Sequence, residues 1–500
     1  MRIAYFLDLP HGLGGAGSLL LKHARLMKEI HDVVVVIPQD EYGVPNAEYV
    51  KRCELSQLPW VKLYYLTAFN FYSMDYLSAM ENADTIENFL REKDVEFVHS
   101  IQLNVALECA TRNLHIPHLM SIYQLTDTEF RLYSEDIYPH YHLCDSLKYC
   151  ASWEKHLPIK SRCLRPLSPV SQFRRKKFSS DMEIRIMVLG RVCPRKNQLT
   201  AIRIVEEICE RYPIKMSIIG ELVEEYAKEC MDYVTNHGLQ DKVYFYDFVS
   251  DVLPLMEQHD MFLCASTDES FPSSIVEAVS MGLPVVTTKA GGISEVFSDQ
   301  DNAFVSEDFT KEAIKFSVVN CIEAIQNSSI SSVLQSAEDT WDRFFSRDSI
   351  GKELDNYYND IKSALDERKS MKQIDEMVRA FQDELMLIDE ELSVFCSRIL
   401  YIMKFIKEIP SGVTYIWGAG KYGSHVTKML LYFRKDITIG GYVDKKANGQ
   451  KEGRNIIPPD ELCKVKCDAV VIAYKGDCSE TERFLNNLGY TKYMNMWIIN

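Results

Sequence analysis

Short apolar runs alternate with amphipathic stretches along most of the chain. In the first part SLLLKHARLMKEI separates RIAYFL from DVVVVIP, and after residue 183 the runs IRIMVL, KMSIIG and MFLCAS recur between helical stretches. A strand buried on both faces is almost continuously apolar, whereas a helix on a sheet is apolar on one side only. The pattern therefore predicts an α/β fold with two successive doubly wound domains, residues 1–165 and 166–350.

The segment 351–409 has the pattern of helix without strands. From residue 371 to residue 406 the apolar positions alternate by three and four, which is the seam of a coiled coil. We expect this segment to join copies of the chain into a homo-oligomer through 371–406. Glu384, Asp389 and Glu391 flank the seam, where acid would face acid in a parallel homodimer. An antiparallel pair, or a helix packed back on its own chain, stays open.

A third α/β unit closes the chain at residues 410–500. Strand VTYIW leads through GAGKYG into helix SHVTKMLLYF, and Asp444 ends the next strand. Gly418, Gly420 and Gly423 have the spacing of a dinucleotide-binding turn, in which an acidic residue after the second strand binds a ribose. The unit is shorter than a complete dinucleotide fold, so we expect a small Rossmann-like domain. A second nucleotide site and a purely structural relic of one are equal alternatives.

Composition narrows the classes of partner and compartment. The chain carries a net charge of −16, and an acidic surface repels phosphate backbones, so we expect no nucleic-acid partner. The 14 cysteines are scattered, and Cys463 and Cys467 lack the second pair of ligands that a zinc site requires. Reduced thiols, a start without a signal peptide and apolar runs too short to span a bilayer predict a cytoplasmic protein. At most, we expect peripheral contact at the inner face of the membrane.

The stretch ESFPSSIVE carries the strongest candidate chemistry. Glu269 follows the strand MFLCAS, and Ser273 and Ser274 begin the helix that contains Glu277. Open α/β sheets bind ligands at the carboxyl ends of their strands, and a helix N-terminus there suits a diphosphate. Glu277, one turn into the helix, is placed to accept hydrogen bonds from a ribose diol, and Glu269 from the hydroxyls of a sugar.

A carboxylate pair beside a phosphate requires a cation. The segment LGRVCPRKN follows the first strand of the same domain and supplies Arg191, Arg195 and Lys196 at that sheet edge. Their charges would neutralise a diphosphate and stabilise it as it leaves.

Three motifs together resemble the retaining glycosyltransferases of family 4, which have the two-domain GT-B architecture. They are G-R-x4-K with Arg191 and Lys196, ESFPSSIVE with its two glutamates, and GLPVVTTKAGGISEVF downstream. The resemblance is strongest over residues 184–297. It implies that residues 166–350 bind a nucleotide-diphosphate sugar, and that residues 1–165 bind the acceptor. It also implies front-face displacement without a dedicated protein nucleophile.

The resemblance assigns roles to single residues. Arg191 and Lys196 would bind the diphosphate, Glu277 the ribose and Glu269 the donor sugar, while Gly14 and Gly15 would approach the donor from across the cleft. The expected acceptor is a glycan or a lipid-linked sugar in surface-polysaccharide assembly, and the donor base, UDP or GDP type, is not specified. No further cofactor or metal is required, since Asp299-Gln300-Asp301 follows ISEVF as a polar turn rather than ending a strand.

The first domain departs from the family pattern. Where a histidine is usual, the sequence reads SIYQLTDTEF, with Tyr123 near the expected place and Asp127 beyond it, and His11 and His99 are further candidates on the acceptor side. These departures leave two alternatives open: a non-catalytic partner that binds nucleotide sugars, and a GT-B epimerase acting on them. An NAD-dependent oxidoreductase built around Gly418 is a third alternative, although the helix before it supplies no substrate domain.

Overall fold

The computed structural model describes residues 1–8, 15–40, 42–64, 76–101, 104–123, 137–179, 182–249, 251–388, 399–446, 448–474, 478–491 and 496–498. Within these ranges the strands form three separate sheets, one after another along the chain. Helices cover the sheets, as the alternating pattern of the sequence predicts. The α/β fold with two doubly wound units, a helical segment and a third small α/β unit is therefore confirmed.

The first sheet is parallel throughout its described strands, in the order β3-β2-β1-β4-β5-β6-β7. The strands are β1 (Arg2–Phe6), β2 (Asp32–Pro38), β3 (Trp60–Leu63), β4 (Phe97–Ile101), β5 (His118–Ser121), β6 (Tyr141–Cys144) and β7 (Lys160–Cys163). The helices are α1 (Gly15–Met27), α2 (Ala47–Leu55), α3 (Tyr76–Glu92), α4 (Val105–Asn113) and α5 (Leu147–His156).

The second sheet is also parallel, in the order β10-β9-β8-β11-β12-β13. Its strands are β8 (Ile184–Leu189), β9 (Ile214–Ile219), β10 (Val243–Tyr246), β11 (Met261–Cys264), β12 (Val285–Thr287) and β13 (Phe304–Val305). Its helices are α6 (Gln198–Ile208), α7 (Glu224–Asn236), α8 (Leu253–Glu257), α9 (Ser273–Ser280), α10 (Lys311–Gln326) and α11 (Ile330–Phe344).

The third sheet has the order β16-β17-β15-β14-β18-β19, with only the β16–β17 pair antiparallel among the described strands. Its strands are β14 (Gly412–Trp417), β15 (Ile437–Val443), β16 (Gly449–Lys451), β17 (Arg454–Ile457), β18 (Ala469–Ile472) and β19 (Met496–Ile498). Between the second and third sheets lie α12 (Arg347–Ser363), α13 (Met371–Ile388) and α14 (Ile399–Glu408), and the third sheet carries α15 (Lys421–Phe433) and α16 (Ser479–Asn487).

Helix α12 returns to the first sheet. The Tyr358 hydroxyl lies 3.0 Å from Tyr5 Oη and 2.6 Å from His99 Nδ1, within hydrogen-bonding distance of both. Ile350 and Leu354 are buried in the same core as strand β1. The helix therefore belongs by its packing to the first doubly wound unit, although it follows the second in sequence.

The heptad seam is divided between two cores of its own chain. Met371, Ile374 and Val378 are buried with the helices of the first sheet, whereas Leu385 and Ile406 are buried with the third sheet. These residues are buried within their own chain, as in the alternative of a helix packed back on its own chain. The expected coiled-coil homo-oligomer through 371–406 is not confirmed. A heptad pattern reports an apolar stripe but not what covers it. Positions 389–398, including Leu392 and Phe395, lie outside the described residues.

A buried ion network fixes the turn between α12 and α13. Glu108 accepts from Arg112 Nε at 2.7 Å, from His118 Nδ1 at 2.7 Å and from Arg368 Nη1 at 3.2 Å. Burial alone would raise the pKa of Glu108, but the two arginines outweigh it and hold that pKa well below its ordinary value. The turn is thereby held on the first domain through Arg368.

Candidate functional site

The loop after β11 lies at the carboxyl edge of the second sheet. Gly291, downstream of β12, has φ +60°, and a β-carbon there would overlap the carbonyl oxygens of Glu269 and Ser270. Only glycine adopts such a conformation at low cost while another backbone comes this close. The glycine pair of the sequence is therefore required by the loop that carries Glu269.

Two cations contact Glu269. Lys196 Nζ bonds to Glu269 Oε1, and Arg195 Nη1 lies 3.4 Å from Glu269 Oε2. Arg195 also donates to the Asp268 carbonyl oxygen at 3.2 Å. Both cations come from the turn Pro194–Lys196, which follows β8 at the same sheet edge. The structure thus brings Lys196 and Glu269 together, with Arg195 as the second basic group.

Arg191 points elsewhere. Its Nε donates to Glu221 Oε2 at 2.8 Å, and the two side chains are 63% and 61% exposed. Its backbone carbonyl accepts from Gln198 Nε2 at 2.9 Å. Exposed pairs of this kind are weak, so the guanidinium is free to rotate toward a ligand at the sheet edge. In the structure, however, Arg195 rather than Arg191 is the arginine beside Glu269.

Helix α9 presents its N-terminus and Glu277 to the cleft. Ser273 is exposed, Ser274 is half-buried, and no side chain caps the helix, whose N-cap residue is Pro272. The first amides of a helix lack partners inside it and suit an anion. Glu277 Oε1 lies 3.6 Å from Lys22 Nζ of α1, across the cleft. Burial raises the pKa of Glu277, and the Lys22 ammonium works against that rise.

The glycine loop of the first domain is described only in part. Gly15 begins α1, is exposed, and has open space where a β-carbon would lie. Gly14 and His11 lie outside the described residues. Lys22, about two turns into α1, was not among the predicted site residues. Its position on the first helix after the glycine loop is the signal that could have identified it.

A second contact crosses the cleft beside Glu269. Ser270 Oγ donates to Asp145 Oδ1, and Asp145 directly follows β6 of the first sheet. Burial raises the pKa of Asp145 to about 7, although the bond from Ser270 works in the other direction. Sequence reasoning missed Asp145, because β6 (YHLC) carries too many polar residues to be predicted as a buried strand.

The remaining candidates of the sequence have different surroundings. His99 is buried, and its ring nitrogens lie 2.7 Å from Ser121 Oγ and 2.6 Å from the Tyr358 hydroxyl, so its role in the described structure is a structural one. Tyr123 is half-buried, and burial raises the pKa of its hydroxyl. Asp127 lies outside the described residues. Asp299 forms a turn, where its Oδ1 accepts from the Val305 amide at 2.9 Å.

In the third domain, backbone groups of the glycine turn are hydrogen-bonded to side chains of the same domain. Asp444 Oδ2 accepts from the Ala419 amide at 2.9 Å, and Lys451 Nζ donates to the Gly420 carbonyl oxygen at 2.7 Å. Gly418 has φ +114°, and a β-carbon at Gly423 would overlap the Gly418 carbonyl. Gly418, Gly423 and Asp444 therefore build the turn itself, while Gly420 has open space.

Neither a metal cluster nor a membrane helix is present in the described part of the chain. No three histidine, cysteine or carboxylate side chains come together there in a way that could hold a metal ion. None of the described helices is long and apolar enough to cross a membrane.

Two family models match separate parts of the chain. Residues 170–323 match the model of glycosyl transferases group 1, and residues 414–496 match the model described as C2185-like, N-terminal. The first match covers the second sheet, with the Lys196–Glu269 pair and α9.

Curated relatives match over part of their length. The phosphatidylinositol N-acetylglucosaminyltransferase GPI3 subunit of Saccharomyces cerevisiae (strain YJM789) is 24% identical over 258 residues, which is 50% of this chain and 54% of that protein. Mannosylfructose-phosphate synthase of Agrobacterium fabrum is 29% identical over 150 residues, 28% of this chain and 33% of that protein. The chain thus spans about half the length of the GPI3 relative.

Solved glycosyltransferase structures have the same two-domain fold. Anabaena Alr3699/HepE in complex with UDP aligns with a TM-score of 0.58 at 17% identity, over 72% of this chain and 100% of that chain. A glycosyltransferase from Rickettsia africae ESF-5 aligns with a TM-score of 0.59 at 15% identity, over 73% of this chain and 99% of that one. These alignments show a GT-B fold.

Proposed function

We propose that this protein is a retaining glycosyltransferase of family 4, which moves a sugar from a nucleotide-diphosphate sugar to a glycan or a lipid-linked acceptor. The observation that carries the proposal is the convergence of Lys196, Arg195, Glu269 and Glu277 at one sheet edge, facing Lys22 of the other domain. The match to glycosyl transferases group 1 over residues 170–323 and the UDP complex of a GT-B neighbour support it.

On the donor side each group has a chemical role. The N-terminus of α9, with Ser273 and Ser274, binds the diphosphate together with the ammonium of Lys196. Glu277 accepts hydrogen bonds from the ribose diol. Glu269, whose two carboxylate oxygens are held by Lys196 and Arg195, accepts from hydroxyls of the donor sugar. Arg191 joins the diphosphate by exchanging its exposed partner Glu221 for the ligand.

The reaction breaks the bond between the anomeric carbon and the diphosphate oxygen and forms a bond from that carbon to the acceptor oxygen. Charge develops on the departing diphosphate, where preorganised cations stabilise the transition state. Lys196 and Arg191 supply the positive charge that balances it, in place of a metal ion. In front-face displacement the departing phosphate oxygen takes the acceptor proton, and the sugar keeps its anomeric configuration.

The flanking regions have supporting roles in this proposal. Residues 1–165, with α12 packed on them, bind the acceptor, and residues 166–350 bind the donor. The segment 351–409 and the domain 410–500 are accessory, and the latter holds a nucleotide only if a ligand opens the Asp444–Ala419 and Lys451–Gly420 contacts. We place the protein in the cytoplasm, at the inner face of the membrane where lipid-linked acceptors of surface polysaccharides are exposed.

A non-catalytic subunit that binds nucleotide sugars is the second candidate. Near the position where the family pattern has a histidine, the first domain has Tyr123. The separate candidate His99 is buried and bonded to Ser121. The GPI3 relative is named as a subunit. This candidate predicts binding of a nucleoside diphosphate without turnover, whereas an epimerase would interconvert nucleotide sugars without an acceptor.

Calorimetric titration tests the proposal. Purified protein is titrated with UDP, GDP, ADP and NAD, and the titrations are repeated on Glu277→Ala and on Gly420→Ala. We expect one nucleoside diphosphate to bind equally well to the wild type and to Gly420→Ala, and about 10- to 100-fold more weakly to Glu277→Ala. The nucleotide that binds also identifies the base. NAD binding that is lost only in Gly420→Ala would instead move the chemistry to residues 410–500.

A further inference from the structure

The two doubly wound domains touch through a buried arginine. Arg165 follows β7, and its side chain is 8% exposed. Nη1 donates to the Asp145 carbonyl oxygen at 2.7 Å, and Nη2 donates to Glu295 Oε2 at 2.7 Å. Its Cζ lies over the ring of Phe271, 5.0 Å from the centroid. One side chain therefore joins a residue after β6 of the first sheet to two residues of the second domain.

Glu295 binds the first domain a second time. Its carboxylate accepts from the Leu147 amide at 2.8 Å and from the Lys148 amide at 3.0 Å, the first two amides of α5. Such amides have no partner inside their own helix, and the helix dipole favours a negative charge there. Burial alone would raise the pKa of Glu295, but the bonds from Arg165 and the two amides outweigh it and lower that pKa. Glu295 is thus an ionised cap that the second domain supplies to a helix of the first.

Gly292 sets the distance between the domains at this point. A β-carbon at this position would lie 2.5 Å from Ser146 Cβ and 3.3 Å from Arg165 Nη1. The backbone of Gly292 has φ −89° and ψ 7°, which an alanine adopts as well. A side chain is therefore excluded here by the neighbouring domain and not by the local backbone.

The same contact reaches the loop that carries Glu269. Ser270 donates its hydroxyl to the Asp145 carboxylate, while the Ser270 carbonyl accepts from the Gly292 amide at 2.8 Å. Phe271, one residue further, lies under Arg165. The loop is thus held from the second domain through Gly292 and from the first domain through Asp145, and Arg165 binds the backbone of Asp145.

We propose that Arg165 is a positioning residue of the transfer reaction. By binding Asp145 and Glu295 together it fixes the loop 268–272, so that Glu269 takes its working position only while the two domains are in contact. This inference rests on the proposed function, in which Glu269 binds the donor sugar. It makes the donor site incomplete without residues of the acceptor domain.

Hydrogen–deuterium exchange measures the contact without any substrate. The Leu147 and Lys148 amides have Glu295 of the other domain as their acceptor, so peptides spanning 144–150 report directly on the contact between the two domains. We expect slow exchange of these two amides in the full-length wild type. We expect faster exchange in Arg165→Ala and in Gly292→Ala, which keeps every charge but inserts a methyl group between the domains. We also expect it in Arg165→Lys, because a single ammonium nitrogen lacks the rigid planar fork with which the guanidinium binds its two acceptors.

Matched controls carry similar changes elsewhere. Arg211→Ala removes an arginine that also pairs with a glutamate and lies over a ring, but on the surface of the second domain alone. Gly351→Ala adds a methyl group in α12, where the nearest atom is 3.5 Å away on flexible Leu26. Both controls should exchange at 147 and 148 as the wild type does, and should keep its turnover.

Turnover separates positioning from mere folding. We expect kcat for donor hydrolysis to fall about 10- to 100-fold in Arg165→Ala and Gly292→Ala, less in Arg165→Lys, while the affinity for the nucleoside diphosphate stays within about threefold, since the binding groups remain. Faster exchange with unchanged kcat overturns the positioning role, and so does exchange that is fast in the wild type. A wild type that binds no nucleoside diphosphate overturns the proposed function instead, and this inference with it.

Discussion

Lys22 Nζ lies 3.6 Å from Glu277 Oε1, and this ion pair joins α1, the first helix of one doubly wound domain, to α9 of the other. A ribose diol that hydrogen-bonds to Glu277 would compete with Lys22 for the same carboxylate. If Glu277 binds the ribose as proposed, the pair would couple donor binding to the separation of the domains, because a ligand at Glu277 would replace the contact that holds α1 against α9.

Replacing Glu277 tests this coupling. Hydrogen bonds to a charged group contribute about 1.5–3 kcal/mol, so Glu277→Ala should weaken nucleoside diphosphate binding by about 10- to 100-fold. Calorimetry provides the measurement. Glu338→Ala is the matched control, since Glu338, on α11 of the same domain, pairs with the exposed side chain of Arg175. If the wild type, Glu277→Ala and Glu338→Ala all bind the nucleoside diphosphate with equal affinity, Glu277 is not part of the donor site.

Lys196 should matter for turnover more than for folding. It is paired with Glu269 at the sheet edge, and removing a group that stabilises developing charge costs about 10²–10³-fold in kcat. Lys196→Ala should show that loss in donor hydrolysis with an unchanged circular dichroism spectrum. Lys215→Ala, which removes an exposed lysine paired with Glu183 at 3.1 Å, should keep full activity. If Lys196→Ala hydrolyses donor at the wild-type rate, the phosphate role belongs to Arg191 or Arg195.

Asp145 should make stability depend on pH. Burial raises the pKa of Asp145 to about 7 in the folded protein, against about 3.9 in the unfolded chain. The folded state therefore binds more protons between pH 4 and 7, and stability falls as pH rises through that window, by about 4 kcal/mol in total. Asp145→Asn removes the titration but still accepts from Ser270.

The thermal midpoints of Asp145→Asn and wild type, compared at pH 5 and pH 8, check this dependence. The variant should gain clearly more at pH 8 than at pH 5, since most of the cost of ionising Asp145 arises above pH 5. A difference between the two proteins that is the same at both pH values would show that Asp145 titrates normally.

The buried seam predicts destabilisation that does not depend on protein concentration. Ile374 is 0% exposed in the core of the first domain, and removing such a side chain costs about 2–5 kcal/mol. Ile374→Ala should lower the thermal midpoint by the same amount at high and low protein concentration. Met386→Ala, at a position 52% exposed, should change it little. If the thermal midpoint of the wild type rises with protein concentration, the chain forms an oligomer as the sequence predicted.

In the third domain, two glycines should behave oppositely. Gly423→Ala places a methyl group against the Gly418 carbonyl and should destabilise the domain, whereas Gly420→Ala meets open space and should leave its thermal midpoint unchanged. Differential scanning calorimetry of the full chain distinguishes them. Destabilisation of Gly420→Ala would mean that it cannot serve as a variant that affects only a ligand.

The local sequence was sufficient to predict the strands that lie in the middle of the first two sheets. Strands β1, β2, β8 and β11 are continuous apolar runs because both of their faces are covered, and that burial is visible in the residue types. Strands β3 (WVKL) and β7 (KSRC), at the edges of the first sheet, were not predicted. An edge strand is only partly covered, so polar residues remain and the pattern disappears.

The candidate donor site divides in the same way. Glu269, Glu277 and Lys196 could be predicted because the carboxyl ends of parallel strands meet at one edge, so short motifs after β8 and β11 must come together. Lys22, Arg165 and Glu295 could not, because each finds its partner more than one hundred residues away, on another domain. Sequence patterns record what a residue needs locally, namely burial, a turn or a helix start. Which of two apolar surfaces covers the seam, and which cation reaches which carboxylate, is decided by the packing of whole domains.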